Sequence, residues 1–99
     1  MKSHRQYVKE QIRRDPKFTK DLDDANIEVR LAVMIGLLRE KRGLSQRDLA
    51  KLTGIKQPQI ARIEKGGQLP TLETLWRLAD ALDAKVVIGP HRRVEFRAA

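Results

Sequence analysis

The sequence predicts a small all-α bundle with an N-terminal helical extension and a short C-terminal β element. Three observations predict it. Apolar residues recur at three- and four-residue spacing through Ile27 to Leu38, Leu49 to Ile63 and Leu75 to Leu82, the period of helices with one buried face. Glycine and proline punctuate these runs at Gly43, Gly54 and Gly66-Gly67-Gln68-Leu69-Pro70, where helices stop and chains turn. After Leu82 the period changes: Lys85-Val86-Val87-Ile88 is rich in β-formers, Gly89-Pro90-His91-Arg92 signals a turn, and Val94-Glu95-Phe96 resumes alternation.

Taken in order, residues 1–26 form the extension. A short helix from His4 to Arg14 carries Tyr7, Val8 and Ile12 as its apolar side, and Asp15-Pro16 ends it, because a residue before proline avoids the α region. Phe18 and Leu22, four apart, let the segment that follows dock one helical turn on the body. Residues 27–84 form the central domain. Its first helix, Ile27 to Lys41, turns Ile27, Leu31, Met34, Ile35 and Leu38 inward, leaves Arg30, Arg39, Glu40 and Lys41 largely off that face, and has Gly43 placed to cap it. Gly36 within it permits a close helix crossing. Thr71 caps a later helix from Leu72 to about Leu82, with Leu75, Trp76, Leu78, Ala79 and Leu82 as its core face and Trp76 as a core anchor. Residues 85–99 form the β tail. An isolated hairpin is marginal in water, so its strands need a partner: the same tail in a second subunit, the helical body, or another protein's sheet edge.

Between those helices lies Leu44 to Gly66, LSQRDLAKLTGIKQPQIARIEKG, two short helices joined by a tight turn. Ser45 is an N-cap type and Asp48, three residues on, completes a capping-box-like pair. Gly54 can take positive φ, so the chain reverses at Thr53-Gly54-Ile55. Pro58 falls in the first turn of the second helix, where its missing N–H costs nothing. Leu49, Ala50 and Leu52 face Ile60 and Ile63. Lys56, Gln57, Gln59, Arg62 and Lys65 are left on the outer face, and such side chains donate to base edges or phosphates in a major groove. This is helix-turn-helix logic. Gln57 and Arg62 are the first candidate base readers, since Gln pairs bidentately with adenine and Arg with guanine. Gln59 and Lys56 are candidate edge or phosphate contacts. Arg47, Lys51 and Lys65 are candidate phosphate neutralisers, or ordinary surface charge.

Charge agrees with that partner. The net charge is +8, from 21 Lys and Arg against 13 Asp and Glu. Residues 1–20 and 44–70 are strongly basic, whereas residues 71–84 set Glu73, Asp80 and Asp83 against Arg77 alone. A basic balance favours a polyanion. With no cysteine, a disulfide framework and a Cys-based metal site are excluded. His4 and His91 lack neighbouring ligands for zinc, and no Ser/His/Asp ordering, phosphate-cradling loop or carboxylate pair stands out. The expectation is therefore a non-enzyme without cofactor. The apolar stretch Leu31 to Leu38 is too short to span a bilayer, and no apolar signal core follows the basic N-terminus, which predicts a cytoplasmic protein.

The central residues resemble the Xre-type helix-turn-helix family of lambda-type repressors and Cro. Leu44-Ser45-Gln46, Leu49-Ala50, Gly54-Ile55, Ile60-Ala61-Arg62-Ile63-Glu64, Gly66 and Pro70-Thr71-Leu72-Glu73-Thr74-Leu75 match its pattern without a gap. Lys56 departs from it, standing where the family often has a capping Ser or Thr. The resemblance implies a lambda-repressor-like five-helix bundle and a homodimer on a palindromic DNA operator. It gives Gln46 a phosphate-holding role, beside its plain reading as a polar first-turn residue. It also implies that Glu64 ties the motif together, through Arg47 or an arginine on a neighbouring helix. More loosely, Val8-Lys9-Glu10, Asp15-Pro16-Lys17-Phe18, Ile27 to Leu38 and Lys85 to Ile88 resemble HigA-type antitoxins. That implies repression of the chain's own operon and silencing of a RelE-like (HigB-type) mRNA-cleaving toxin. The basic N-terminus departs from antitoxins that act through a long acidic segment, so a basic toxin would be met by shape, apolar surface, or acids such as Asp21, Asp23, Asp24 and Glu28. A stand-alone Xre-type regulator and a mainly toxin-blocking module are the competing expectations.

Overall fold

The computed structural model describes residues 25–98. The expected extension helix, the Phe18–Leu22 docking, the Asp15-Pro16 break and the acids Asp21, Asp23 and Asp24 lie outside the described residues. Within them the order is α1 (Ile27–Lys41), α2 (Gln46–Thr53), α3 (Gln57–Glu64), α4 (Leu72–Leu82), β1 (Ala84–Gly89) and β2 (Arg93–Ala98). The fold is thus mostly helical, but it has four helices and a two-stranded sheet among the described residues, not the five helices expected. The reason is local. Asp83 closes α4 in the left-handed region at φ 50°, and the β-branched run after it enters a strand rather than another helix.

Three of the four described helices start where a side chain accepts an orphan N–H. Asn26 accepts from the Val29 N–H at 3.0 Å, Ser45 from Asp48, and Thr71 from Thr74. α1 buries the row Ile27, Leu31 and Ile35, and Gly36 with it. α3 lies along α1 on one side, β2 packs on α1, and β1 packs on α4. Leu31, Ile35, Leu49, Ile60, Ile63, Leu78 and Leu82 are the largest fully buried side chains, each worth about 1.5–3 kcal/mol over an exposed position. Gly66 ends α3 at φ +78°, and a Cβ there would sit 3.4 Å from Val29 Cγ2, so glycine serves both the turn and the contact with α1.

β1 and β2 pair antiparallel with Val86 opposite Phe96. Phe96 is buried, with Val86 and Val94 packed on the same core. The helical body is therefore one partner of the hairpin.

Two core expectations are corrected. Trp76 is 56% exposed. The buried face of α4 runs through Thr74, Leu75, Leu78, Ala79 and Leu82, and at about 100° per residue Trp76 falls outside it, on a row with Leu72. Leu52 is 61% exposed, because Leu49 and Thr53, four apart, take the inward row of α2. Thr53 earns its burial by donating from its hydroxyl to the Leu49 carbonyl at 2.7 Å and accepting from the Ile55 N–H at 3.1 Å.

Candidate nucleic-acid interface

The two helices of the motif are set by their ends. At the start of α2 the Ser45 N–H donates to Asp48 Oδ2 at 2.9 Å and the Asp48 N–H donates to Ser45 Oγ at 3.0 Å, a complete capping box. The Ser45 backbone N–H, then its hydroxyl, hold the Asp48 carboxyl below its ordinary pKa. Gly54, at φ 75°, donates its N–H to the Ala50 carbonyl and closes the helix. α3 begins differently. Lys56 stands at its N-cap with no side-chain acceptor, Pro58 lies in the first turn, and no acid is present there. Its positive end faces outward without a neutralising side chain, an arrangement suited to a phosphate oxygen.

The other end of α3 is held from inside. Arg39 donates through Nε to Glu64 Oε2 at 2.8 Å and through Nη2 to Glu64 Oε1 at 3.0 Å, and Nη1 reaches the Leu44 carbonyl at 2.7 Å. The side chains of this pair are only 13% and 3% exposed. One guanidinium thereby joins α1, the α1–α2 loop and α3. Glu64 does tie the motif together, through Arg39 rather than Arg47. Arg39 is an arginine on a neighbouring helix, and helical period alone sets it largely off the apolar face. The available signal was its place at the end of the four-residue row Ile27, Leu31, Ile35, Arg39.

With α3 so fixed, Ile60, Ile63 and Glu64 face in. Lys56, Gln57, Arg62 and Lys65 are exposed, Gln59 is half-buried, and Arg47 is exposed on α2. Pro58 and Ala61 belong to the same outward side, Ala61 half-buried. Arg62 Nε lies back on the Pro58 carbonyl at 3.4 Å, a long contact that a base edge can replace. Gln46 is half-buried, its amide directed at Glu64 Oε1 at 3.5 Å. The structure thus gathers the α3 residues on one helix and connects Gln46 to them through Glu64. Lys51 is exposed at the far end of α2. No group of three or more metal-ligating side chains occurs among the described residues, and no described helix is long and apolar enough to cross a membrane.

A capped helix, a glycine turn and a second helix with a buried rear and a cationic, amide-bearing front define a helix-turn-helix domain of the transcription-regulator class. Residues 35–87 match the helix-turn-helix family HTH_3, and the chain belongs to that family. It is 42% identical over 72 residues to an uncharacterized HTH-type transcriptional regulator of Haemophilus influenzae, covering 73% of this chain and 74% of that protein. It is 41% identical over 80 residues to antitoxin HigA1 of Mycobacterium tuberculosis, covering 81% of this chain and 54% of that one, so it spans about half the length of HigA1. Among solved structures, the restriction-modification controller protein C.AhdI from Aeromonas hydrophila superimposes with a TM-score of 0.55 at 34% identity, covering 57% of this chain and 85% of that one. These relatives are an HTH-type transcriptional regulator, an antitoxin and a controller protein, and the Xre-type resemblance of the central motif stands.

Proposed function

We propose that this chain is a sequence-specific transcriptional repressor that also serves as the antitoxin of a toxin–antitoxin pair. The observation that carries the repressor reading is the outward face of α3, held rigid from behind by the buried Arg39–Glu64 pair. In this reading α3 enters the major groove. Gln57 and Arg62 read bases, Gln59 and Lys56 meet edges or phosphates, and Gln46, Arg47, Lys51 and Lys65 bind the backbone. A homodimer places two such helices about 34 Å apart on a palindromic operator and excludes polymerase from the chain's own promoter in the bacterial cytoplasm. The β tail, whose outer strand edges are unpaired among the described residues, is the candidate dimerisation element.

The antitoxin half is supported by the HigA1 match, which spans 80 residues of alignment and so reaches past the 35–87 family segment. The partner in this reading is a RelE-like ribonuclease. The test is growth. The small reading frame beside this gene is induced in bacteria with and without this chain. Growth arrest that this chain relieves supports the antitoxin reading. A harmless neighbour, or one that stays toxic, removes it and leaves a stand-alone regulator, the reading favoured by the Haemophilus relative's name.

A further inference from the structure

The solvent face of α4 gathers exposed apolar side chains. Leu72 and Trp76 are 47% and 56% exposed, and Leu69, in the loop leading to them, is 42% exposed. Leu72, Trp76 and Asp80 follow at four-residue spacing, so they form one row along the helix. Asp83 closes that end, its side chain 75% exposed with Arg42 at 3.7 Å. Asp80 makes no ion pair among the described residues, and Glu73 is paired with Arg77 at 3.2 Å. Arg77 itself is turned toward α2, its Nη1 3.9 Å from a Cβ built at Gly54. The row therefore presents a large aromatic and aliphatic side chains beside one carboxylate without an ion pair among the described residues, Asp80, and a second, Asp83, held only loosely by Arg42, on a chain whose net charge is +8.

We infer that this face of α4 docks a basic protein partner, with Trp76 and Leu72 as apolar anchors and Asp80 and Asp83 as its acidic rim. The inference rests on the partner reading above and assigns that partner a surface. Charge selects the occupant. Nucleic acid is repelled by Asp80, which has no ion pair among the described residues. A second copy meeting this face across a two-fold axis that passes near Asp80 would set that acid against its own copy, a like-charge contact. A cationic surface meets neither obstacle, and exposed aromatics are the side chains that dominate protein interfaces. This face is separate from α3, so docking there leaves the front of α3 open.

Trp76 is the only tryptophan, so the face carries its own reporter. The full chain is titrated with the product of the neighbouring reading frame, made by cell-free synthesis. The expected result is a blue shift of Trp76 emission and a binding affinity about thirtyfold weaker in Leu72→Lys and in Asp80→Lys. Both variants should hold operator DNA as the unmodified chain does, which also certifies their fold. Asp80→Lys, at an exposed site, covers the case in which Leu72→Lys fails to fold. Binding with unchanged emission and unchanged affinity in both variants overturns the docking face and leaves the partner reading intact. No binding at all overturns both. Conversion of a dimer to a monomer by either variant makes the face a contact between copies and overturns the inference.

Discussion

Glu64 is the point at which a buried charge decides the position of a reading surface. Its carboxylate is almost fully enclosed and accepts both arms of Arg39. Removing one member of such a pair strands the other, at a cost of about 3–5 kcal/mol. Glu64→Ala is therefore expected to lower the urea unfolding midpoint sharply, whereas the double change Arg39→Met with Glu64→Leu, which leaves no orphan charge, should recover most of the loss. On the outer side the expectation reverses: Gln57→Ala and Arg62→Ala, both at exposed positions, should leave the unfolding curve nearly unchanged. Each should instead cost about 1–3 kcal/mol of discrimination between operator and other DNA, read by competition binding. The outer residues were legible in the sequence because helical period alone separates them from Ile60 and Ile63. Arg39 was harder to see, since the period of α1 places it at the border of the apolar stripe and only its partner on another helix makes it internal.

At the scale of elements, the capping box and the hairpin each hold a carboxyl below its ordinary pKa. Asp48 is lowered by the Ser45 backbone N–H and hydroxyl, and Glu95 by its hydrogen bonds from Arg97, then Arg93. A carboxyl held lower in the folded than in the unfolded chain stabilises the fold above the unfolded pKa. That contribution disappears as pH falls through the folded value, so it should be complete at neutral pH and lost below about pH 4. Urea midpoints measured from pH 6 downward should fall over that window, and Asp48→Asn should flatten part of the fall. The hairpin turn holds a different reserve. His91 and Arg92 both sit at φ 60°, a region that suits glycine and asparagine, and Arg93 donates to the Pro90 carbonyl at 3.3 Å. Arg92→Gly should raise stability by about 1 kcal/mol, seen as a higher melting temperature. The strands and their turn were legible from the change of period. That the helical body covers one face through Phe96 was not, because three partners satisfied the same alternating pattern and only the packing chooses among them.

Across the described residues, charge is sorted by face. The motif's outer side collects Arg47, Lys56, Arg62 and Lys65, whereas α4 turns Asp80 and Asp83 outward. Operator affinity should fall steeply with salt, and replacing Arg47, Lys56 or Lys65 by alanine should lower the log–log salt slope by about one unit each. The helix-turn-helix was the most legible part of the fold, since caps, glycine turn and apolar spacing agree there at every level. The number of helices was not, because five is what the resemblance implies, whereas the residues themselves mark four helices from Ile27 to Leu82 and then a β-branched run. Trp76 shows the converse: its residue type suggests an inward place, whereas its phase on α4 sets it out.

The measurement that tests the central claim is fluorescence anisotropy of the full chain on a labelled duplex from upstream of its own gene. A scrambled duplex serves as control, with the chain unmodified and carrying Gln57→Ala with Arg62→Ala. The unmodified chain should prefer its own upstream sequence, and the double variant should bind both duplexes alike while keeping a salt-dependent, non-specific affinity. A double variant that retains the preference would contradict the account, because the sequence would then be read by a surface other than the face of α3.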